Sequence, residues 1–254
     1  MLSKLEWDTP YGSSDLQALG LPSAAAARLA KSGWLKRLGR GVYQVPNAKL
    51  DINKTLAYLS LEVPQLHVGG KTALAWRGTR HNLAHQERLN LWGHKAARLP
   101  AWFTDLFIAT YQSTRIFDDT LPKEFGLAPL PTGHQQVVVS VPERALLELF
   151  SDTGKLQSLE ETLNVAQSAR HLRPYVLDTL LTHTTRVKVV WLAKALAEIA
   201  QELQRIDKAI TTMGYETRTH YANRRPTLPS TMALNDEEAE KLWTWSLAFC
   251  ADWL

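Results

Sequence analysis

The chain has 254 residues, 45% of them hydrophobic and 21% charged, which is the composition of a folded globular protein and excludes disorder over most of its length. Lys and Arg number 29 against 25 Asp and Glu, and the net charge of +4 indicates a polyanionic partner only where the cations cluster. A single cysteine, Cys250, excludes an internal disulfide and a multi-cysteine zinc site. We expect a cytoplasmic protein without membrane contact, because no apolar window of about 18 residues and no signal-peptide pattern occurs.

Two short helices are predicted near the start of the chain, over residues 15–19 and 23–32. Ser13 or Ser14 is placed to cap the first helix. Pro22 favours the first turn of the second helix. A glycine directly after each helix is typical of a helix end.

A hairpin is predicted next, because two β-prone runs, residues 34–38 and 42–45, flank the loop Gly39-Arg40-Gly41. Helix, turn, second helix and hairpin follow one another in a winged helix-turn-helix. We therefore predict an α+β protein with a winged helix-turn-helix domain over residues 1–48. Residues 49–254 are predicted to form a larger mixed α/β domain with a helical C-terminal part.

The second predicted helix has two chemically different sides at about 100° per residue. The apolar sector contains Ala25, Ala26, Leu29 and Gly33. We expect it to pack against Leu16, Leu19 and Trp34. The opposite sector has small residues and cations but no acid: Ser23, Ala24, Ala27, Arg28 and Lys31. Small side chains let a helix enter a major groove, where alanine methyls meet thymine methyls and Ser or Arg reach base edges or phosphates.

Positive charge is concentrated in residues 20–46, which hold five cations and no acid and so carry +5. A polyanion relieves the repulsion between these cations and releases its counterions on binding. Arg40 is predicted at the hairpin tip, where it can enter a minor groove or contact a phosphate. The predicted DNA-facing residues are Ser23, Ala24, Ala27, Arg28, Lys31, Lys36, Arg37 and Arg40. The alternative is a small helical subdomain with a solvated basic face.

The remainder of the chain is predicted to mix helices, strands and loops. Helices are predicted over 51–63, 69–76, 143–150, 158–203 and 236–254. Strands are predicted over 89–92, 106–117 and 135–140, with loops over 121–133 and 214–230.

Several blocks in this order are similar to one known family. They are the run from Gly20 to Leu35, Gly39-Arg40-Gly41-Val42-Tyr43, Val68-Gly69-Gly70 to Leu74, Val141-Pro142-Glu143-Arg144 to Leu149, and Arg186 to Leu192. Together they resemble AbiEi-like antitoxins of type IV abortive-infection toxin–antitoxin systems, which act in phage defence. The resemblance covers about residues 14–200, and the tail over 212–254 departs from it.

The resemblance implies two roles. The winged domain would repress its own operon by binding inverted repeats in double-stranded operator DNA. The larger domain would counteract a cognate nucleotidyltransferase-like toxin, with or without a direct complex. Two alternatives stay open: a winged-helix transcriptional regulator whose C-terminal domain senses a small molecule, and an enzyme tethered to DNA.

No catalytic residue, metal site or cofactor is predicted. Gly70-Lys71-Thr72 resembles the end of a phosphate-binding loop, but the glycine that such a loop requires five positions before Gly70 is Gln65. His81 and His85 have the spacing of a metal pair on a helix, and we expect them to be solvated or capping histidines. Residues 67–100 hold six cations and one acid, a second basic stretch that we expect to be solvated.

Overall fold

The computed structural model describes residues 2–79, 88–131, 133–169 and 172–197. These residues form helices and two sheets, so the predicted α+β class is confirmed. They divide into two compact units. The described residues of the first unit lie within 1–77, 82–115 and 124–141, and those of the second lie within 78–81, 116–123 and 142–254. The first unit contains residues on both sides of position 48, and the domain boundary predicted there stays a prediction.

The chain begins with a short helix–hairpin unit, which we define as residues 13–44. Its elements in order are α1 (Ser13–Ala18), α2 (Ser23–Lys31), β2 (Lys36–Gly39) and β3 (Val42–Gln44), preceded by β1 (Tyr11–Gly12). The three strands form an antiparallel sheet in the order β1-β3-β2. This is the order of elements that the sequence predicts, with an additional strand in front of α1.

The start of α1 differs from the prediction in its cap. Gly12 occupies the N-cap position, and its amide donates a hydrogen bond of 2.8 Å to the Asp15 carboxylate. The predicted cap by Ser13 or Ser14 is wrong. The helix begins two residues earlier than expected, and the Ser13 hydroxyl instead donates to the carbonyl oxygen of Gly41 at 3.2 Å.

Glycines end both helices, as predicted. Gly20 has a φ of 84° and Gly33 a φ of 81°, the left-handed conformation that glycine adopts without a steric cost. The hairpin turn has two residues, Arg40 and Gly41, rather than the three predicted. Gly39 pairs with Val42, and the register shifts between Arg37 and Gly39.

A small apolar core holds the helix–hairpin unit together. Its buried members are Leu5, Leu16, Leu21, Ala26, Leu35 and Tyr43, with Ala25 and Leu29 packed partly against them. The expectation that Leu19 and Trp34 complete this core is wrong, because their side chains are 38% and 64% exposed. Leu21 and Leu35, the next apolar residues along the chain, face the core in their place. Gly33, expected in the apolar sector, is exposed.

The first unit also contains a five-stranded mixed sheet. Its strands are β4 (His67–Val68), β5 (Leu89–Trp92), β6 (Ala109–Gln112), β7 (Leu127–Pro129) and β8 (Val138–Ser140), in the order β6-β5-β4-β8-β7. The pairs β4·β8 and β5·β6 are parallel, and the other two are antiparallel. The predicted loop over 121–133 is wrong in part, because β7 lies inside it and pairs with β8. Its Pro129 is tolerated because β7 is an edge strand.

Three helices accompany this sheet: α3 (Ile52–Glu62), α4 (Gly70–Trp76) and α5 (Ala101–Thr104). α3 is capped by Asp51, whose carboxylate accepts from the Lys54 amide at 2.9 Å. A Cβ added to Gly39 of β2 would lie 2.9 Å from the Trp102 ring of α5, so the hairpin packs closely on that indole.

The described part of the second unit is mainly helical. It contains α6 (Pro142–Asp152), α7 (Leu159–Ser168), α8 (Pro174–Thr182) and a ninth helix, α9, described over residues 187–197. The helical pattern predicted over 158–203 is therefore three helices as far as it is described. The bidentate ion pair between Arg173 and Glu143, with Nε to Oε1 at 2.9 Å, joins the starts of α8 and α6. The predicted loop over 214–230 and helix over 236–254 lie outside the described residues.

None of the helices in the described ranges is long and apolar enough to cross a membrane.

Candidate nucleic-acid interface

The structure exposes every residue that the sequence predicts to face DNA. Five of them lie on α2 and three on the hairpin, and all eight side chains are exposed: Ser23, Ala24, Ala27, Arg28, Lys31, Lys36, Arg37 and Arg40. We call this set the basic face. All eight residues belong to one small unit, the helix–hairpin unit.

The two sides of α2 differ as its periodicity indicates. Ala26 is fully buried, and Ala25 and Leu29 are half-buried against the core of the helix–hairpin unit. The exposed side carries the small residues and the two cations of the helix. Pro22 lies at the N-cap position, and the first two residues of the helix, Ser23 and Ala24, are small and exposed.

The cations of the basic face have no acidic partner within the described ranges. Among the described residues, none of Arg28, Lys31, Lys36, Arg37 and Arg40 forms an ion pair. The Arg37 guanidinium donates from Nε to the carbonyl oxygen of Gly39 at 3.0 Å, which holds that side chain along β2. Arg40 occupies the turn itself.

Lys54 of α3, outside the helix–hairpin unit, shows the opposite behaviour. Its ammonium lies 2.7 Å from a carboxylate oxygen of Glu6 and 2.7 Å from one of Asp8. Hydrogen bonds from Lys54 lower the pKa of both carboxyl groups. Lys54 is thus paired with acids from another part of the chain. Residues 20–46 contain no acid, and the cations of the basic face form no ion pair with any described residue.

The second basic stretch does not form a single exposed face. The half-buried Arg77 guanidinium donates to the carbonyl oxygens of Ser140 at 2.7 Å, Ala128 at 2.8 Å and Val139 at 2.9 Å. Arg77 therefore joins α4 to β7 and β8, and it does not extend a footprint on DNA. Arg88, Lys95 and Arg98 are exposed, and Arg80 lies outside the described residues.

Gly70-Lys71-Thr72 is engaged in the fold. The Thr72 hydroxyl donates to the carbonyl oxygen of Arg88 at 3.0 Å and accepts from the amide of Asn90 at 2.9 Å, which ties α4 to β5. In a phosphate-binding loop, this hydroxyl would bind a metal ion. Here the Thr72 hydroxyl makes the hydrogen bonds that join α4 to β5 instead.

The described ranges contain no group of three side chains able to hold a metal ion. His81 and His85 lie outside those ranges. A pocket beside α3, lined by residues such as Leu56, His67, Leu91 and Val137, has room for about one water molecule, so it does not fit an organic effector.

Sequence reasoning missed two features of this face. It placed Trp34 in the core, whereas the indole is 64% exposed between α2 and the hairpin. It gave Ser13 to the helix cap, whereas the hydroxyl bonds to the hairpin turn. The cations on either side of Trp34, with no acid among them, were the available signal that this segment is exposed. No local signal indicates the hydrogen bond from Ser13 to the hairpin turn.

Comparison with known proteins identifies the family of the chain. Residues 1–85 match the family described as transcriptional regulator, AbiEi antitoxin N-terminal domain. Residues 86–225 match the family described as transcriptional regulator, AbiEi antitoxin, type IV toxin–antitoxin system. The chain is thus of the class of transcriptional regulators. It belongs to the AbiEi antitoxin family of type IV toxin–antitoxin systems, as the sequence blocks indicate.

No curated protein matches the chain. Among solved structures, the crystal structure of the RV2827C protein from Mycobacterium tuberculosis is similar, with 15% identity and a TM-score of 0.46 over 96% of this chain and 90% of that one.

Proposed function

We propose that this antitoxin binds double-stranded operator DNA through its basic face and represses its own operon. The helix–hairpin unit then acts as a winged helix-turn-helix, with α2 in the major groove and the hairpin as the wing. The observation that carries this proposal is the exposure of five cations on α2 and the hairpin of one small unit, none of which forms an ion pair among the described residues.

We expect the small residues and the cations of the basic face to make different kinds of contact with the DNA. The exposed alanines and Ser23 leave room for α2 to approach base edges, which read sequence. The cations at the C-terminal end of α2 and along the hairpin suit phosphates, which position the protein without reading sequence. Inverted repeats in the operator require two copies of the chain on the DNA.

The second role in this proposal is to counteract a nucleotidyltransferase-like toxin through the larger domain. Its support is membership of a type IV antitoxin family. The same proposal assigns the chain no enzymatic activity of its own and places its action in the cytoplasm, where operator DNA is found.

The test is to remove charge from α2 in the full chain. Arg28→Gln and Lys31→Gln should each weaken binding to a duplex of the chain's own promoter several-fold and reduce the slope of affinity against salt by about one counterion. Lys123→Gln removes an exposed cation of the second unit and is the matched control. Toxin neutralisation should be retained in all three variants.

Two results would contradict the proposal. If Arg28→Gln and Lys31→Gln bound the duplex as the wild type does, the basic face would not be the interface. If either variant lost antitoxicity while still folded, the two roles would not be divided between the domains.

A further inference from the structure

The first unit exposes two tryptophans to nearly the same extent. The side chain of Trp34 is 64% exposed and that of Trp7 is 68% exposed. Single exposed apolar residues are common on protein surfaces, so exposure alone assigns no role to either one. The two differ in how the chain holds them and in the charges that surround them.

Trp34 stands on a fixed backbone. Its amide donates to the carbonyl oxygen of Leu29 at 2.9 Å, and the amide of Leu35 donates to the same oxygen at 3.2 Å. Gly33 provides the left-handed turn, and Leu35 anchors the other side in the core at 2% exposure. The indole is therefore presented to solvent from a rigid support, and little conformational freedom is lost when a partner covers it.

The surroundings of Trp34 are cationic. Lys31 precedes it by three residues, and Lys36 and Arg37 follow within three, so chain connectivity keeps these Cα atoms within about 11 Å of that of Trp34. No acid lies nearby in the sequence, since residues 20–46 contain none. A surface of this charge attracts a phosphate backbone and repels the same surface of a second copy of the chain.

The surroundings of Trp7 carry no surplus of positive charge. It lies between Glu6 and Asp8, whose carboxylates both contact the Lys54 ammonium at 2.7 Å. Lys4 precedes Trp7 by three residues, so two acids and two cations lie near this indole. The molecule thus offers two similarly exposed indoles, one beside a surplus of cations and one in neutral surroundings.

We propose that Trp34 is a non-ionic DNA contact of the basic face, its indole packing against deoxyribose and base edges at the junction of α2 and the hairpin. The inference rests on the proposed DNA binding and adds to it a residue that carries no charge. Apolar side chains that contact the groove add affinity that does not depend on counterion release.

The experiment compares Trp34→Ala, Trp34→Phe and Trp7→Ala in the full chain, with a duplex of the chain's own promoter over a range of salt concentrations. Trp34→Ala should weaken binding roughly tenfold and leave the slope of affinity against salt unchanged. Trp34→Phe should fall between Trp34→Ala and the wild type, since it keeps an aromatic face. Trp7→Ala should bind as the wild type does.

A second measurement does not depend on how the alanine variant folds. In the wild type labelled with 5-fluorotryptophan, the fluorine resonance of Trp34, identified by its absence in Trp34→Phe, should shift as the duplex is added. The resonance of Trp7 should stay in place.

Each opposite result overturns the inference. If Trp34→Ala binds as the wild type does while Arg28→Gln is weakened, the DNA interface exists but Trp34 is outside it. If the salt slope falls as it does for Arg28→Gln, Trp34 acts through the cations. If Trp34→Ala changes the sedimentation of the free protein and its affinity per protomer does not change, the indole binds a second copy of the chain. If the wild type binds no duplex, the proposed function fails first and this inference fails with it.

Discussion

The hydroxyl of Ser13 donates a hydrogen bond of 3.2 Å to the carbonyl oxygen of Gly41, and this joins the first turn of α1 to the turn of the hairpin. The two residues are 28 positions apart in the sequence. Arg40 directly precedes Gly41, so the bond helps to set where the cation of the hairpin turn stands relative to the helices.

Replacing Ser13 with alanine should loosen this link. The Gly41 carbonyl would lose its hydroxyl donor, and we expect a loss of about 1 kcal/mol in the free energy of unfolding, measured by denaturant unfolding. Ser14→Ala is the control, because the Ser14 side chain is exposed at the neighbouring position. Equal stabilities of the two variants would show that the bond contributes nothing.

Gly41→Ala should be more destabilising than Gly33→Ala. Both glycines have positive φ angles, 73° and 81°, so both substitutions carry the left-handed cost of about 1–2 kcal/mol. A Cβ at Gly41 would also lie 3.1 Å from the Ser13 hydroxyl oxygen, whereas a Cβ at Gly33 would meet nothing within 4 Å. The difference in melting temperature between the variants therefore measures the packing of the hairpin turn on α1. A larger loss for Gly33→Ala would contradict this order.

Arg77→Lys should destabilise the first unit although it keeps the charge. The guanidinium fork donates to the three carbonyl oxygens of Ala128, Val139 and Ser140, and a lysine ammonium cannot reproduce that fork. We expect a loss of about 2–3 kcal/mol in thermal or denaturant unfolding, with Arg98→Lys as the exposed control. An unchanged stability together with weaker DNA binding would instead make Arg77 a DNA contact.

The helix–hairpin unit was predictable because its signals are local. Gly20 and Gly33 end helices, and the helical period of the apolar residues assigns the buried side of α2. Neither signal depends on residues distant along the chain. The exposure of the basic face follows from the same periodicity. Local pattern therefore predicted that these eight side chains are exposed, and their contact with DNA stays a prediction.

The features that the sequence did not reveal depend on partners distant along the chain. β7 is a strand because β8 pairs with it, and Pro129 argued against a strand until its edge position was known. Arg77 has the sequence signature of a surface cation, and only the carbonyls of β7 and β8 make it internal. Trp34 and Leu35 are adjacent and both apolar. The left-handed turn at Gly33 sets the direction of the chain so that Leu35 enters the core and Trp34 is exposed.

Asp152 should make the second unit less stable as the pH rises toward 7. Burial first, and then the charge of the nearby Glu148, raise the pKa of this carboxyl to about 7 against the opposing influence of Lys155, Lys188 and Arg186. The folded chain then retains a proton that the unfolded chain releases above about pH 4. This contribution to stability is fully present below pH 4 and is lost as the pH rises through 7.

Asp152→Asn removes this titration and keeps the size of the side chain. The variant should have a melting temperature that changes less between pH 5 and 8, and at pH 8 it should be more stable than the wild type, because no buried charge has to form. Glu160→Gln, which alters an exposed carboxyl on α7 of the same unit, should follow the wild-type profile. The titration of the Asp118 carboxyl does not interfere with this pH-dependence measurement. A hydrogen bond from Thr120 is the first cause that lowers its pKa to about 2, so it titrates at lower pH and with the opposite sign. If the wild type and Asp152→Asn showed the same change in melting temperature from pH 5 to 8, Asp152 would not titrate in that range in the folded chain.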